Sequence, residues 1–439
     1  LKLKSPPRSQ LERERQSTGD GKTKIGFNRP LPDYSTPEQV RRHLDWRPSE
    51  DGQSSVAELT IQSTGAAALR IALLITHLPA ASVVSFRGAR DPTVEQIPAT
   101  AILSGIEHNM QAGIREPDAR VYWSPVILGD TLTLSLSIPR SEDPATVTFA
   151  LPQLSHLFEP PVSSSLQIRS GSAGRAAACE RDVTCEPAWQ ERSNSVARLI
   201  MTEAGNTFSC SGTLLNDRYT SGIPWLLTAN HCISDQSLAS SLTSYWFYRS
   251  AVCGAPQPNP DYQTRTGGAM LLYSSATSDT AFLRLNEAPP AGVSYAGWTN
   301  TPPIPGSDVA GLHHPQGDLQ KISLGILGAF FDCGGTGNNG QFECESNDST
   351  SGHFINVTFD SGTTETGSSG SGLFTDDGQY LIGQLYGGNA ACDNPTGDNL
   401  YGRLDLAYTE GRLERWLNTP SFTIQLLPST QGLITSDPA

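Results

Sequence analysis

Short apolar runs separated by turn residues recur along the chain. From Thr131 to Ile138 apolar and polar positions alternate without a break, which places Leu132, Leu134, Leu136 and Ile138 on one face of a strand. Gly129-Asp130 marks the turn before it. Strand-like runs also occupy Val56 to Ile61, Leu69 to Ile75, Ser82 to Phe86, Val121 to Trp123 and Thr146 to Leu151. Their regular spacing predicts a small β-sandwich. Thr36 ahead of Pro37-Glu38-Gln39, with Val40, Leu44 and Trp46 following, predicts a short helix with Thr36 as its N-cap. Residues 1–24 are charged and polar, with Pro6-Pro7, and read as disordered.

Residues 160–178 are rich in Pro, Ser and Gly and read as an exposed linker, the kind of segment proteases cut. After Cys185 the short strands resume at Val196 to Ile200, Thr207 to Cys210 and Trp225 to Thr228, with turns at Gly205-Asn206 and Asn216-Asp217. Leu406, Ala407, Leu413, Trp416 and Leu417 fall near helical spacing. Residues 420–439 form a Pro- and Ser/Thr-rich tail. The implied boundaries are a disordered 1–24, a β-rich 25–160, a linker 161–178 carrying a processing site, a second domain 179–419 and the tail.

Composition agrees with a loop-rich β protein: 41 Gly and 31 Pro against 3 Met in 439 residues. The net charge of −14 sits in one part. Residues 1–174 hold 18 Lys+Arg and 18 Asp+Glu, while residues 175–439 hold 12 and 26. That balance argues against nucleic acid as a partner, since phosphate binding needs clustered cations. No apolar run reaches the roughly 18 residues of a membrane span. The chain opens Leu1-Lys2-Leu3-Lys4 without Met, and removal of a signal peptide is the expectation. All eight cysteines lie from Cys179 onward. An even count confined to one segment points to disulfides and an oxidising compartment. Zinc is the alternative, but no Cys-x2-Cys pair occurs.

Three stretches carry candidate chemistry. Thr228-Ala229-Asn230-His231-Cys232 ends an apolar strand with a histidine pinned by a cysteine. Asp279 opens the apolar run Thr280 to Leu285, where a lone acid needs a partner. Ser369 stands in Gly367-Ser368-Ser369-Gly370-Ser371-Gly372, where glycines allow a sharp turn and close backbone approach. Each alone also fits a bland role: a structural histidine, a strand-capping acid, a flexible loop. Together they give the order His, Asp, Ser of one well-known nucleophilic triad. The histidines of the first part (His43, His77, His108, His156) are scattered and form no constellation. His313-His314-Pro315 would point its two rings to opposite faces of a strand, so no shared metal is expected.

These stretches resemble the trypsin-like serine proteases, and Cys210-Ser211-Gly212-Thr213 resembles that family's cysteine-glycine strand. Within it, residues 179–417 resemble secreted bacterial lysyl endopeptidases. The likeness rests on Tyr245-Trp246-Phe247-Tyr248 before Cys253, Ala296-Gly297-Trp298, His313-His314-Pro315, Lys321-Ile322-Ser323 and Gly383-Gln384-Leu385 ahead of Gly387-Gly388. The first part, with Tyr122-Trp123-Ser124-Pro125, resembles the pro-segments of such enzymes.

The resemblance implies an all-β fold: two six-stranded antiparallel β-barrels, chymotrypsin-like, with a C-terminal helix, preceded by a β-sandwich-like pro-domain. It implies a Ser369, His231, Asp279 triad, an oxyanion hole from the backbone N–H groups of Gly367 and Ser369, and bridges Cys179–Cys392, Cys185–Cys253 and Cys210–Cys232. Cys333 and Cys344 then remain, 11 apart, as a local pair. No cofactor or metal is implied. The expected partners are polypeptide substrates and the chain's own pro-segment, and the expected state is a secreted monomer.

Two departures stand out. Ser368 precedes the nucleophile, where animal trypsins carry the Asp that pairs with a newly cut N-terminus. The lysine-binding acid of lysyl endopeptidases falls two residues before Tyr401-Gly402-Arg403, and here that residue is Asn399, with Asp398 one step out of phase. Thr363 is likewise not acidic, and Tyr386 stands where these enzymes carry histidine. Lysine specificity is therefore in question. Lys321 is the only lysine after residue 24, which would spare a lysine-cutting enzyme from itself but also fits a genome biased to arginine. The competing function is a catalytically silent secreted β protein, a pseudoprotease or adhesin.

Overall fold

The alternating run forms the strand Thr131–Pro139, with Leu132, Leu134, Leu136 and Ile138 all buried. It pairs antiparallel with Ser54–Ser63 on one side and Val83–Gly88 on the other. This is the computed structural model of the chain, and it describes residues 1–16, 22–89, 93–160, 175–336, 342–347 and 350–417, together with short pairs at 423–424 and 436–437. The rest of the 420–439 tail and residues 161–174 of the linker lie outside the described residues.

A second sheet faces the first across a core that includes Leu59, Ile61, Leu69, Ile71, Leu73 and Phe86. It runs Thr148–Ala150, Ala68–His77, Gln153–Leu157, Thr23–Pro30. It does not end there. Thr23–Pro30 pairs onward with Asn206–Leu215, so one continuous sheet joins the first part to the second. Arg70 reinforces the joint. Its guanidinium is fully buried and donates to the Ser124 carbonyl, to Thr202 Oγ1 (2.8 Å) and to the Ser241 carbonyl (2.8 Å). With three neutral acceptors and no ion-paired acid among the described residues, burial pulls this arginine down to about 10.

Three expectations need correction. Residues 1–24 are not wholly disordered. Lys2–Leu3 adds a parallel strand to Gln62–Ser63, and Arg8–Gln16 is a helix tied down by a Glu14–Lys24 ion pair. Leu1 and Leu3, too few to register as a pattern, pack on the core. The sandwich also carries a helix, Ala99–Gln111, whose inward face is Ala99, Ile102, Ile106 and Asn109. The end of the supposed linker is docked rather than loose: residues 175–177 are half-buried and bonded to Asp318 and Glu365. The Thr36-capped helix forms at Pro37–Arg41, with Gln39 completing a capping box.

The second part has two halves. The first contains Val196–Glu203, Asn206–Leu215, Trp225–Ala229, Thr243–Trp246, Ala269–Ser275 and Thr280–Leu285, paired antiparallel. The other closes on itself: Asp308–His313, Gly372–Thr375, Leu381–Gly388, Asn399–Arg403 and Phe354–Ser361 lead back to Lys321–Thr336 as six antiparallel strands. A closed ring leaves no unpaired edge and fixes the loops at its rim. Disulfides join Cys179–Cys392, Cys185–Cys253, Cys210–Cys232 and Cys333–Cys344. The C-terminal helix is two short ones, Leu404–Glu410 and Glu414–Leu417, broken at Gly411 and at Arg412, whose φ is +51°. Leu404, Ala407, Leu413 and Leu417 are buried, whereas Leu406 is half-exposed.

Candidate active site

The site lies between the two halves, and each supplies part of it. Trp225–Ala229 is buried along its length and delivers His231 one turn past its end. Asp279 holds a left-handed φ of +48° just before Thr280–Leu285. That turn presents its carboxylate to the histidine. Oδ1 accepts the His231 backbone N–H (2.8 Å), and Oδ2 meets Nδ1 at 2.8 Å. An ionised carboxylate only accepts, so Nδ1 carries the proton and the opposite nitrogen keeps its lone pair. That nitrogen, Nε2, is buried and has no hydrogen-bond partner among the described residues.

Ser369 arrives on a turn from the closed barrel and is 2% exposed. Its carbonyl accepts the Ser211 N–H (2.8 Å) and lies 3.8 Å from Cys232 Sγ, beside the histidine turn. The Cys210–Cys232 bridge ties those two flanks together. Gly370 makes the approach possible: a Cβ there would lie 2.1 Å from Thr228 Oγ1. Its φ is +79°, and that of Gly367 is +92°. Ser211 Oγ donates to the Gly367 carbonyl (3.0 Å), so the first half grips the turn on both sides of Ser369.

Gln384, in the Gly383-Gln384-Leu385 stretch, is a positioning group. Fully buried, its Nε2 donates to the Ser278 carbonyl (2.9 Å), the Asp279 carbonyl (3.2 Å) and Thr280 Oγ1 (2.9 Å). One side chain of the closed barrel thus fixes the strained turn that carries Asp279. No local signal marks it, because its partners are more than 100 residues away in sequence.

Behind the turn, Ser368 and His313 form a directed relay. Ser323 Oγ donates to the Thr363 carbonyl (2.6 Å), so it accepts from His313 Nε2 (3.0 Å). His313 Nδ1 is then the acceptor for Ser368 Oγ (2.8 Å). Burial lowers His313 to about 3, so the ring is neutral, as this relay requires. His314 is lowered to about 3 for the same reason. Its ring goes elsewhere, with Nδ1 on the Asp318 carbonyl and a face on Tyr248. The Cys210, His231, Cys232 cluster is likewise no metal set, since both sulfurs are spent in a disulfide.

Glu180 approaches His313 Nε2 to 3.8 Å with 1% of its side chain exposed. Burial, then the charge of Glu365, raises it to about 9, so at neutral pH an acid faces a neutral ring and no ion pair forms. The unfolded chain ionises Glu180 from about pH 4.3. Stability is therefore full below that pH and drains away as pH rises towards the folded value of about 9. Glu180→Gln is expected to leave the melting temperature unchanged at about pH 4 and to raise it at about pH 8, by calorimetry of both proteins.

The residues expected to line a specificity pocket separate. Asn399 is fully buried, accepts from Thr364 Oγ1 (2.7 Å) and donates to the Val357 carbonyl (3.1 Å). Asp398 turns to Asn356 Nδ2 (2.8 Å), one strand over. Where Asn399–Arg403 pairs with Leu381–Gly388, the irregularity lies on the opposite strand, between Leu385 and Gly387, and not at Asp398. Thr363 is buried behind the turn, and Tyr386 stands edge-on to the His231 ring at 6.0 Å between centroids. The first part reaches this ground too: a Cβ on Gly367 would lie 2.8 Å from Thr23 Oγ1.

Comparison with known proteins bears on both parts. A model of the lysyl endopeptidase C-terminal domain matches residues 173–402, and one of the lysyl endopeptidase N-terminal domain matches residues 2–158. A lysyl endopeptidase of Pseudomonas aeruginosa is 35% identical over 383 residues, covering 82% of this chain and 75% of that protein. Among solved structures, the active form of the Rv3671c protease from M. tuberculosis aligns with a TM-score of 0.36 and 18% identity, covering 55% of this chain and 90% of that one. The HtrA-type protease AlgW with a tripeptide aligns with a TM-score of 0.36 and 19% identity, covering 52% and 62%.

Proposed function

The chain belongs to the lysyl endopeptidase family of serine endopeptidases, made with an N-terminal domain, and on that premise we propose that Ser369, His231 and Asp279 are its catalytic triad. The observation that carries this is the Asp279–His231 pair with Nε2 left as a buried acceptor. His231 takes the Ser369 hydroxyl proton as the oxygen attacks the scissile carbonyl, then returns it to the leaving amine. Asp279 holds the tautomer and stabilises the imidazolium. The Gly367 and Ser369 N–H groups receive the oxyanion, a contribution of about 3 kcal/mol per donor in comparable sites. The disulfides fit an oxidising, extracellular setting, and we assign the enzyme to secretion.

Substrates are polypeptides, and the preference at the residue before the cut is broader than lysine. Asn399 offers an amide already bonded to Thr364 and no charge, and the Asp398 carboxylate is engaged with Asn356. Cleavage of a peptide library, read at that residue, tests this; strict lysine preference contradicts it. Asn399→Asp is expected to raise kcat/KM for lysine over neutral residues by about 100-fold, because a desolvated carboxylate rewards a cation and penalises its absence.

The N-terminal domain keeps the precursor latent. Thr23–Pro30 occupies the edge of Asn206–Leu215 beside Gly367, ground that an extended substrate strand also needs.

A further inference from the structure

Three acidic side chains crowd the place where the chain enters the protease domain. Asp318, 4% exposed, accepts the backbone N–H of Arg175 (2.7 Å) and of Ala176 (3.1 Å) on Oδ2, and that of Leu319 (2.7 Å) on Oδ1. Glu365 accepts the Ala177 N–H (2.9 Å). Glu180 is buried a few residues on. No Lys or Arg side chain forms an ion pair with any of the three among the described residues. Arg175 spends its guanidinium on Glu159 and the Pro160 carbonyl of the N-terminal domain, with a longer bond to the Gln316 carbonyl. Asp318 holds three backbone N–H groups, and a cation formed at Ala176 would give it a charged donor where it now has a neutral one.

The same loops hold the nucleophile turn. Gln316 N–H donates to the Thr366 carbonyl (2.7 Å), and the Gly317 nitrogen lies 2.9 Å from where a Gly367 Cβ would be. Asp318 ends this 314–318 segment. Whatever Asp318 binds therefore bears on Thr366 and Gly367.

We propose that hydrolysis of the Arg175–Ala176 bond creates an α-ammonium at Ala176 that Asp318 binds, and that this ion pair fixes the oxyanion side of the Ser369 turn. Water adds its hydroxyl to the Arg175 carbonyl carbon and a proton to the Ala176 nitrogen, which takes a second proton from solvent. Arg175 leaves with its Glu159 partner, and Asp318 exchanges two neutral donors for one cation. Asp318 is a positioning residue: it acts through the 314–318 segment and touches no substrate. Ser368 cannot play this part, being neutral and bonded to His313, but a carboxylate at the end of the neighbouring 314–318 segment can. The inference rests on Ser369 being the nucleophile.

The ion pair is sensitive to alkali. A free α-amino group titrates at about 8, and a carboxylate beside it raises that value. The charged or titratable groups around it are Asp318, Glu365 and Glu180, His314 on the Asp318 carbonyl, Lys321 near Glu180, and Arg198 packed on Gly317. Activity is present below the ammonium's pKa and lost as pH rises through it.

The test uses the full chain carrying Lys321→Arg, after processing. Lys321 is the only lysine from residue 25 to 439, so the α-amine becomes the sole amine within residues 176–439. N-terminal sequencing is expected to begin Ala176-Ala177-Ala178. Cyanate is expected to modify that amine about tenfold more slowly than a free Ala-Ala peptide, and modification to lower kcat about tenfold or more with KM little changed. Asp318→Asn is expected to abolish the protection, lower kcat similarly and remove the alkaline limb of the kcat profile. A mature N-terminus elsewhere, a carbamylated enzyme with unchanged kcat, or an Asp318→Asn enzyme with wild-type kcat and pH profile overturns the proposal. Fluorophosphonate titration of the same samples separates the two failures. Protein labelled at Ser369 yet indifferent to carbamylation contradicts N-terminal capture alone, whereas unlabelled protein contradicts the nucleophile itself.

Discussion

Ser369→Ala is expected to lower kcat for peptide hydrolysis by about 10^6-fold, leaving only the residual acceleration of binding and the oxyanion donors. The loss is this large because Ser369 and His231 work as one unit. Without the hydroxyl, the buried Nε2 of His231 has no nucleophile to deprotonate on the Ser369 turn. KM is expected to move little, since the surrounding turn is held by backbone bonds the substitution leaves intact: Ser211 N–H to the residue-369 carbonyl and Gly370 N–H to Leu385. Steady-state kinetics on the processed enzyme, with unchanged melting temperature as the control, checks this. A fall of only about tenfold would place the nucleophile elsewhere.

Asp279→Asn is expected to cost about 10^4-fold in kcat. Both carboxylate oxygens are used, Oδ1 by the His231 backbone N–H and Oδ2 by Nδ1–H, each at 2.8 Å. An amide offers one acceptor and one donor group. Whichever way it turns, its NH2 meets an N–H, and the cheapest relief is for the ring to move its proton from Nδ1 to Nε2. The base is then blocked at the atom that must accept. The fold is expected to survive, because Gln384 holds Ser278, Asp279 and Thr280 through backbone oxygens and the Thr280 hydroxyl. Unchanged far-UV dichroism with lost kcat is the expected pair of results. A kcat near wild type would mean that His231 is oriented by something other than Asp279.

The parts of the candidate site that were legible in the sequence are those whose chemistry is local. His231 is followed by the cysteine that pins it, Asp279 opens an apolar strand, and Ser369 sits among glycines whose left-handed backbone the turn requires. Strands with one buried face were equally legible, as at Thr131–Pro139. What escaped depends on partners far away in sequence. Gln384, Asp318 and Glu180 are ordinary polar residues until the fold places them against Asp279, Ala176 and His313.

The helix Ala99–Gln111 escaped because its N-cap is Pro98, which makes no side-chain cap, and because Asn109 interrupts its buried stripe. Asn109 is inward because it donates to the Ala119 carbonyl. The ordered first residues escaped because their anchors are Leu1, Leu3 and a single ion pair. The shared sheet could not be foreseen either, since Thr23–Pro30 and Asn206–Leu215 are each plausible strands and nothing in either names the other.

The central claim is that Ser369 is a nucleophile activated by His231. Labelling of the fully processed protein with a fluorophosphonate, followed by peptide mass spectrometry, tests it most directly. A single adduct on Ser369, absent in Ser369→Ala and strongly slowed in Asp279→Asn, is the predicted result. An unlabelled mature protein, or an adduct on any other serine, would contradict it.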